Sequence, residues 1–239
     1  MGHRMSAQRV DKWVRWIEGP IKHNVLSMHL QRKVWNEATE MLAANPDLPH
    51  SYWWEFMRET YSTTMAMAVR RQVDLDKQVA SLARLVTEIE SDAELLTLDR
   101  YLTVTTEDDD PSWFDAARRT WDERFGGTFS HHLDPTVPGH HRRELAEMGA
   151  TVRRYVDKHV AHAEASAPEV VLTVNELHAG VDVIGRIFNT YVLLLTGASY
   201  GRLDPVIQHT WQEAFWVPWS APGWRRKARQ RELERRSDS

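Results

Sequence analysis

Hydrophobic residues recur along the chain at the three- and four-residue spacing of helices that bury one face. Val10, Trp13 and Ile17 share one face of a helix predicted over residues 6–18, and Gly19 with Pro20 ends it. Further helices are predicted over residues 21–44, 51–73, 81–90, 93–102, 110–125, 142–162, 173–197 and 203–215. Strand patterns are nearly absent. The pattern therefore predicts an all-α bundle of about eight helices.

The helix predicted to begin after Thr173 is the most apolar one. Thr173 and Glu176 are spaced as a capping box, and Gly197 marks the end of the helix. Its apolar residues cover much of the helix surface. We therefore expect this helix to form the core of the bundle.

The chain is predicted to be a single all-α domain over residues 1–239. A polar, acidic stretch at residues 103–110 is the first candidate boundary, and it would divide the domain into sub-lobes 1–103 and 110–223. Residues 224–239 form a basic tail, interpreted as a flexible end, with attraction to phosphate groups as the alternative.

Composition narrows the range of functions. The net charge of −4 gives the whole protein no general attraction to nucleic acid, so any such binding needs a local patch. There is no cysteine, which excludes disulfides and thiolate chemistry and agrees with a cytoplasmic location. No signal peptide is evident, and the longest apolar runs are too short to span a bilayer. A soluble protein without membrane contact is expected.

The stretch from Arg153 to His162 combines an apolar helix face with a charged, histidine-rich face. Four residues separate Arg154 from His159, a little more than one helical turn. An Arg and a His at this spacing can converge on one anion, with the Arg as fixed charge and the His as proton carrier. The alternative is a solvated helix face with ordinary surface histidines.

A second charged stretch follows the helix predicted over residues 51–73. Arg70 and Asp74 are four residues apart and can pair on one helix face, with Arg71 beside them. Such a pair is commonly a surface ion pair. Placed against a second charged helix, it would instead line a polar cleft.

Two pairs of adjacent histidines flank a proline-containing loop, namely His131 with His132 and His140 with His141. Zinc sites combine well-spaced ligands in a fixed geometry, and adjacent histidines seldom bind one ion together. We therefore favour a mobile loop over a metal site and predict no metal.

Two blocks of the sequence resemble a known family. The first block is similar to the mid-chain helix of the abortive-infection U-type proteins, a branch of the HEPN-like helical proteins. It consists of residues 66–74, followed by Lys77 and residues 81–85. Residues 155–162 resemble the second signature of that branch. The resemblance implies a HEPN-like helical bundle, often dimeric, whose active members are metal-independent RNases of phage defence or toxin–antitoxin systems.

The resemblance also implies roles for individual residues. Arg154, His159 and His162 would be catalytic. The residues expected to bind or orient RNA are Arg70, Arg71, Asp74, Asp157 and Lys158. No cofactor is implied, and the implied partners are a second copy of the chain, RNA, and an antitoxin or defence-system protein.

The chain departs from the U-type signature at Val156, where an Arg is expected. Either Arg154 takes that role with His159, or the protein binds RNA without cutting it. A helical regulatory or binding module is the rival hypothesis, in which Arg70, Asp74, Asp157 and His159 form a structural polar network.

Overall fold

The fold is organised around one long apolar helix, as the sequence predicts. The computed structural model describes residues 2–45, 52–106, 111–127, 131–156, 172–207 and 210–215. These residues are mostly helical and contain no strand, which confirms the all-α class for the described part of the chain. The helices are α1 (Gly2–Trp16), α2 (Lys22–Ala43), α3 (Tyr52–Gln72), α4 (Leu82–Ser91), α5 (Leu98–Thr105), α6 (Pro111–Trp121), α7 (Thr136–Tyr155) and α8 (Val174–Thr196).

Helix α8 lies at the centre and packs against α1, α2, α3, α5 and α7. The predicted capping box at its start is confirmed, because Thr173 Oγ1 accepts from the Glu176 amide and the Glu176 carboxylate accepts from the Thr173 amide. Gly197 ends the helix in the left-handed conformation, with φ of 73°. A side chain there would collide with the Val104 carbonyl.

By length and composition, α8 is also the one described helix that could cross a membrane. However, 56% of its most apolar window is buried inside the bundle. The buried residues include Ile184, Phe188 and Val192. Core packing therefore accounts for its apolar surface.

Helices α1 and α2 meet at a kink where Gly19 leaves helical geometry, next to Pro20. This confirms the predicted break, since a proline inside a helix removes one backbone hydrogen bond. Helix α1 then reaches α4, where the Trp13 indole nitrogen donates to Glu88 Oε2 at 2.9 Å.

Helices α3 and α7 pack closely where Gly149 faces Val73. A Cβ atom on Gly149 would lie 2.9 Å from the Val73 side chain, so only a glycine allows the two helices to approach this closely. The end of α3 is fixed further by Gln72, which donates to Asn24 and accepts from the Leu82 amide.

Several predicted helix boundaries are wrong. Helix α1 begins at Gly2 rather than at residue 6, and α5 begins at Leu98 rather than at residue 93. Helix α7 begins at Thr136 rather than near Arg142, because Pro138 lies in the first turn, where a proline costs no hydrogen bond, and the Asp134 carboxylate accepts from the Thr136 amide. Of the helix predicted over residues 203–215, the described residues form only a 3₁₀ segment at Trp211–Phe215. Pro205 disfavours a helical conformation in the residue before it.

The chain separates into two compact units, Met1–Asp204 and Pro205–Ser239. The first contains every helix from α1 to α8, and the second contains the 3₁₀ segment. The predicted sub-lobes and the basic tail remain predictions.

The contact between α3 and α7 can be tested with Gly149→Ala. We expect a loss of about 1–3 kcal/mol in the free energy of unfolding, because the added methyl group overlaps Val73. Urea denaturation measures the loss. Gly201→Ala is the matched control, since nothing lies within 4 Å of a Cβ at that position. Equal stability of Gly149→Ala and wild type would contradict the close approach.

Candidate functional site

A polar cleft of about 480 Å³ opens between α2, the first half of α8 and the segment that follows α8. We call it the α2–α8 cleft. Its lining residues are Arg32, Lys33, Asn36, Glu37, His178, Asp182, Arg202 and Asp204. Because residues four apart share a face, His178 and Asp182 project from the same side of α8 into the cleft.

Arg32 is the cation at the base of the cleft, with 14% of its side chain exposed. Its Nη1 lies 2.5 Å from Asp182 Oδ1. Its Nη2 lies 3.2 Å from His29 Nδ1 and 3.6 Å from Asp204 Oδ1. The guanidinium group is therefore held by α8 on one side and by the segment after α8 on the other.

His29 is buried beneath Arg32, one helical turn earlier on α2. Its Nδ1 also lies 3.3 Å from Asp204 Oδ1. A single ring nitrogen cannot donate to Asp204 and accept from Arg32 at once, so the position of the proton decides which contact forms. Burial lowers the pKa of His29, the contact with Asp204 opposes this shift, and the charge of Arg32 adds to it.

The other nitrogen of His29, Nε2, is buried without a hydrogen-bond partner among the described residues. It faces Gly185 of α8, where a Cβ atom would lie 2.8 Å away. Gly185 therefore makes the space that His29 occupies. A histidine held in this way fixes the position of Arg32 relative to α8.

His178 is held from below by Tyr61 of α3. The Tyr61 hydroxyl lies 2.6 Å from His178 Nε2, and its ring stacks on Trp35 with centroids 4.4 Å apart. Burial raises the pKa of Tyr61, so the hydroxyl stays protonated. Burial, with the charge of Arg32, lowers the pKa of His178, so the imidazole is neutral near pH 7.

The direction of the contact between Tyr61 and His178 sets the tautomer of the neutral imidazole. A Tyr61 hydroxyl that donates to Nε2 makes this nitrogen the acceptor of the contact. The proton of the neutral ring is then on Nδ1. In this tautomer, His178 presents a hydrogen-bond donor to a molecule in the cleft.

A second polar cluster lies at the start of α7. His141 Nδ1 lies 3.2 Å from the hydroxyl of the buried Tyr191, and Arg142 Nε donates to Glu90 at 2.5 Å. Burial, followed by the charge of Arg186, lowers the pKa of His141 to about 4. The two pairs of adjacent histidines do not form a cluster with other ligands in the described part of the chain. Among the described residues, no group of three His, Asp or Glu side chains could hold a metal ion.

The structure describes part of the site predicted from the sequence. Arg70 and Asp74 form the predicted ion pair at 3.0 Å, and both are partly buried at the end of α3. Arg71 is exposed beside them, and Arg154 is exposed near the end of α7. The remaining predicted residues, Asp157, Lys158, His159 and His162, lie outside the described residues.

The residues of the α2–α8 cleft were not among those predicted. His178 and Asp182 stand four apart on an otherwise apolar helix, which is the one sequence feature that could have indicated them. Their partners are far away in sequence: Arg32 precedes Asp182 by 150 residues, and Tyr61 precedes His178 by 117. No local pattern connects such positions.

The described residues thus define an all-α protein with a polar cleft beside its most apolar helix. The sequence pattern of the sulfotransferase domain family matches residues 1–189. The chain belongs to this family. No curated protein and no solved structure gives a significant match.

The family match overturns the resemblance to the HEPN-like proteins. Membership in the abortive-infection branch is wrong, and so are the RNase activity and the role in phage defence or toxin–antitoxin systems. The alternative of an inactive helical module is also unsupported. The resemblance rested on two short blocks, whereas the family match extends continuously over α1 to α7 and much of α8.

Sulfuryl transfer requires an activated donor, a nucleotide whose phosphate groups carry several negative charges. Helix N-termini and glycine-rich loops are the usual phosphate sites. Here the N-termini of α4, α5 and α8 are capped by the side chains of Ser81, Thr97 and Thr173. The Asp134 carboxylate accepts from the first amide of α7. A neighbouring group already occupies the space beside each of four glycines, namely Gly126, Gly149, Gly185 and Gly197.

The charges of the cleft do not suit such a donor either. Its cations Arg32, Lys33 and Arg202 are matched by the anions Glu37, Asp182 and Asp204. Since His178 is neutral, the lining has no net positive charge. The α2–α8 cleft therefore does not fit a nucleotide phosphosulfate.

The influence of Arg32 on His178 is testable by NMR titration of the imidazole. We expect Arg32→Gln to raise the pKa of His178, because the variant removes a nearby positive charge. Arg143→Gln is the control, since Arg143 is exposed on α7. An unchanged His178 titration in Arg32→Gln would contradict the described geometry.

His141 should make the protein sensitive to acid. Between pH 6.5 and about 4 the unfolded chain protonates this group and the folded chain does not, so the free energy of unfolding falls as the pH falls through this window. The contribution reaches about 1.4 kcal/mol per pH unit. His141→Gln should reduce the slope in denaturation series, whereas His140→Gln, at an exposed side chain, should not. Identical slopes in the two variants would refute the assignment.

Proposed function

We propose that the chain transfers a sulfuryl group and that the acceptor molecule binds in the α2–α8 cleft. The observation that carries this proposal is the family match over residues 1–189, which includes the lining residues contributed by α2 and α8. The cleft of about 480 Å³ has the size of a site for a small molecule.

The cleft offers the groups that such an acceptor needs. The Asp182 carboxylate has 67% of its side chain exposed and accepts a hydrogen bond from the hydroxyl or amine group of the acceptor. His178 donates from Nδ1 to an oxygen of the same molecule. Arg32 holds Asp182 in place, because its own position is fixed by His29 below it.

The polar groups that α2 and α8 contribute are positioned by the packed core. Tyr61 and Trp35 fix the ring of His178 from α3 and α2, and Gly185 lets His29 pack against α8. A site whose side chains are locked by packing binds its ligand at a lower cost in conformational entropy. This rigidity supports recognition of a small acceptor of defined shape.

The proposal is tested by a transfer assay with the purified full chain. The donor is an adenosine phosphosulfate radiolabelled in its sulfur, and the acceptors are a panel of alcohols, phenols and amines. We expect labelled product with at least one acceptor. His178→Gln and Asp182→Asn should each lower kcat/KM by about tenfold, the effect of one lost hydrogen bond.

Arg143→Gln is the matched control for this assay, since it changes an exposed cation outside the cleft. Its kcat/KM should equal that of wild type. Absence of transfer to every acceptor would reject the proposed activity. Transfer that is unaffected by His178→Gln and Asp182→Asn would place the acceptor elsewhere.

A further inference from the structure

The α2–α8 cleft contains charged side chains of both signs that largely neutralise one another. Asp182 lies 2.5 Å from Arg32, and Asp204 lies 3.6 Å from Arg32 and 3.9 Å from Arg202. A cleft that held a polyanion would instead present cations whose hydrogen bonds are open to the ligand.

Arg32 shows this most clearly. Both of its terminal nitrogens are engaged, Nη1 by Asp182 and Nη2 by His29 and Asp204. The two-pronged face that an arginine offers to a phosphate or sulfate group is therefore occupied by Asp182 and His29, with the Asp204 carboxylate beside them. An incoming anion would have to displace them or approach them against like-charge repulsion.

We propose that Asp182 and Asp204 are internal carboxylates that exclude polyanions from the α2–α8 cleft, so that the cleft takes an acceptor without net negative charge. This inference rests on the proposed function, which identifies the ligand of the cleft as a sulfuryl acceptor. It explains the mismatch between the charges of this cleft and a nucleotide phosphosulfate. The cleft binds the sulfuryl acceptor, such as a neutral alcohol or an amino alcohol, and not the nucleotide donor.

Asp204 contributes to this exclusion from outside the helices. It follows a segment fixed by Asn189, which donates to the Tyr200 carbonyl and accepts from the Tyr200 amide, both at 2.9 Å. Leu203 packs against the core next to Gly185. These anchors hold the Asp204 carboxylate over Arg32 without help from a ligand.

The test is a gain of anion binding when the two carboxylates are neutralised. Isothermal titration calorimetry at low ionic strength measures the binding of inorganic sulfate and of an adenosine bisphosphate. Wild type should bind neither in the α2–α8 cleft, so Arg32→Gln should leave unchanged any binding of the bisphosphate by wild type at a separate donor site. Asp182→Asn combined with Asp204→Asn keeps the shape of the side chains and should add Arg32-dependent binding of both anions, at least about tenfold tighter than any in wild type.

Two further variants make the outcome specific. Asp99→Asn combined with Asp115→Asn removes the same charge from exposed positions outside the cleft and should show no gain. Adding Arg32→Gln to the Asp182 and Asp204 double variant should abolish the gain, because Arg32 is the cation that the change releases. Circular dichroism verifies that each variant is folded.

Saturable binding of the bisphosphate by wild type that Arg32→Gln abolishes would overturn the inference. No gain in a folded double variant would also overturn it, because the carboxylates would then not be what excludes the anion. Either result is independent of the transfer assay. Failure of that assay would remove the proposed activity and leave the charge selectivity of the cleft standing.

Discussion

Burial of α8 is the constraint on which the rest of the structure depends. Its apolar residues pack against five other helices, and a helix buried on most sides tolerates polar residues only where neighbours satisfy them or solvent reaches them. His178 and Asp182 are such residues near its N-terminal end. Tyr61 and Arg32 supply the partners, and the gap left around these polar pairs is the α2–α8 cleft.

The same constraint explains the electrostatics of the cleft. Arg32 is largely covered by α8, and a covered guanidinium group needs nearby carboxylates to offset its desolvation. Asp182 and Asp204 provide them, and His29 fills the space above Gly185. Ion pairs that stabilise the fold thereby leave the cleft without surplus charge. This agrees poorly with a phosphorylated nucleotide and well with a neutral or zwitterionic small molecule.

Membership in the sulfotransferase domain family corrects the conclusion drawn from two short blocks of sequence. Arg70 and Asp74 form the predicted pair, but spacing of this kind recurs in any charged helix. Val152 and Val156 are buried, so the end of α7, where the second block begins, has the apolar face expected of any bundle helix. Features common to packed helices supported the resemblance, and they do not distinguish between families of helical proteins.

The sequence by itself determined the all-α class, the central position of α8, its capping box and its end at Gly197. These follow from periodicity and from local hydrogen bonds between residues close in the chain. It also indicated the kink at Gly19 and Pro20. It missed the start of α7, because Pro138 has the pattern of a loop and is equally compatible with a first helical turn.

Only the tertiary structure decided where the site lies. Arg32, Tyr61, His178 and Asp204 come from distant parts of the chain and meet because α2, α3 and α8 pack side by side. The state of each group depends on that meeting as well, since burial and the charge of Arg32 lower the pKa of His178. Local sequence encodes neither burial nor the charge of residues that are distant in the chain. Periodicity therefore predicted the core, whereas the cleft depends on how the helices pack.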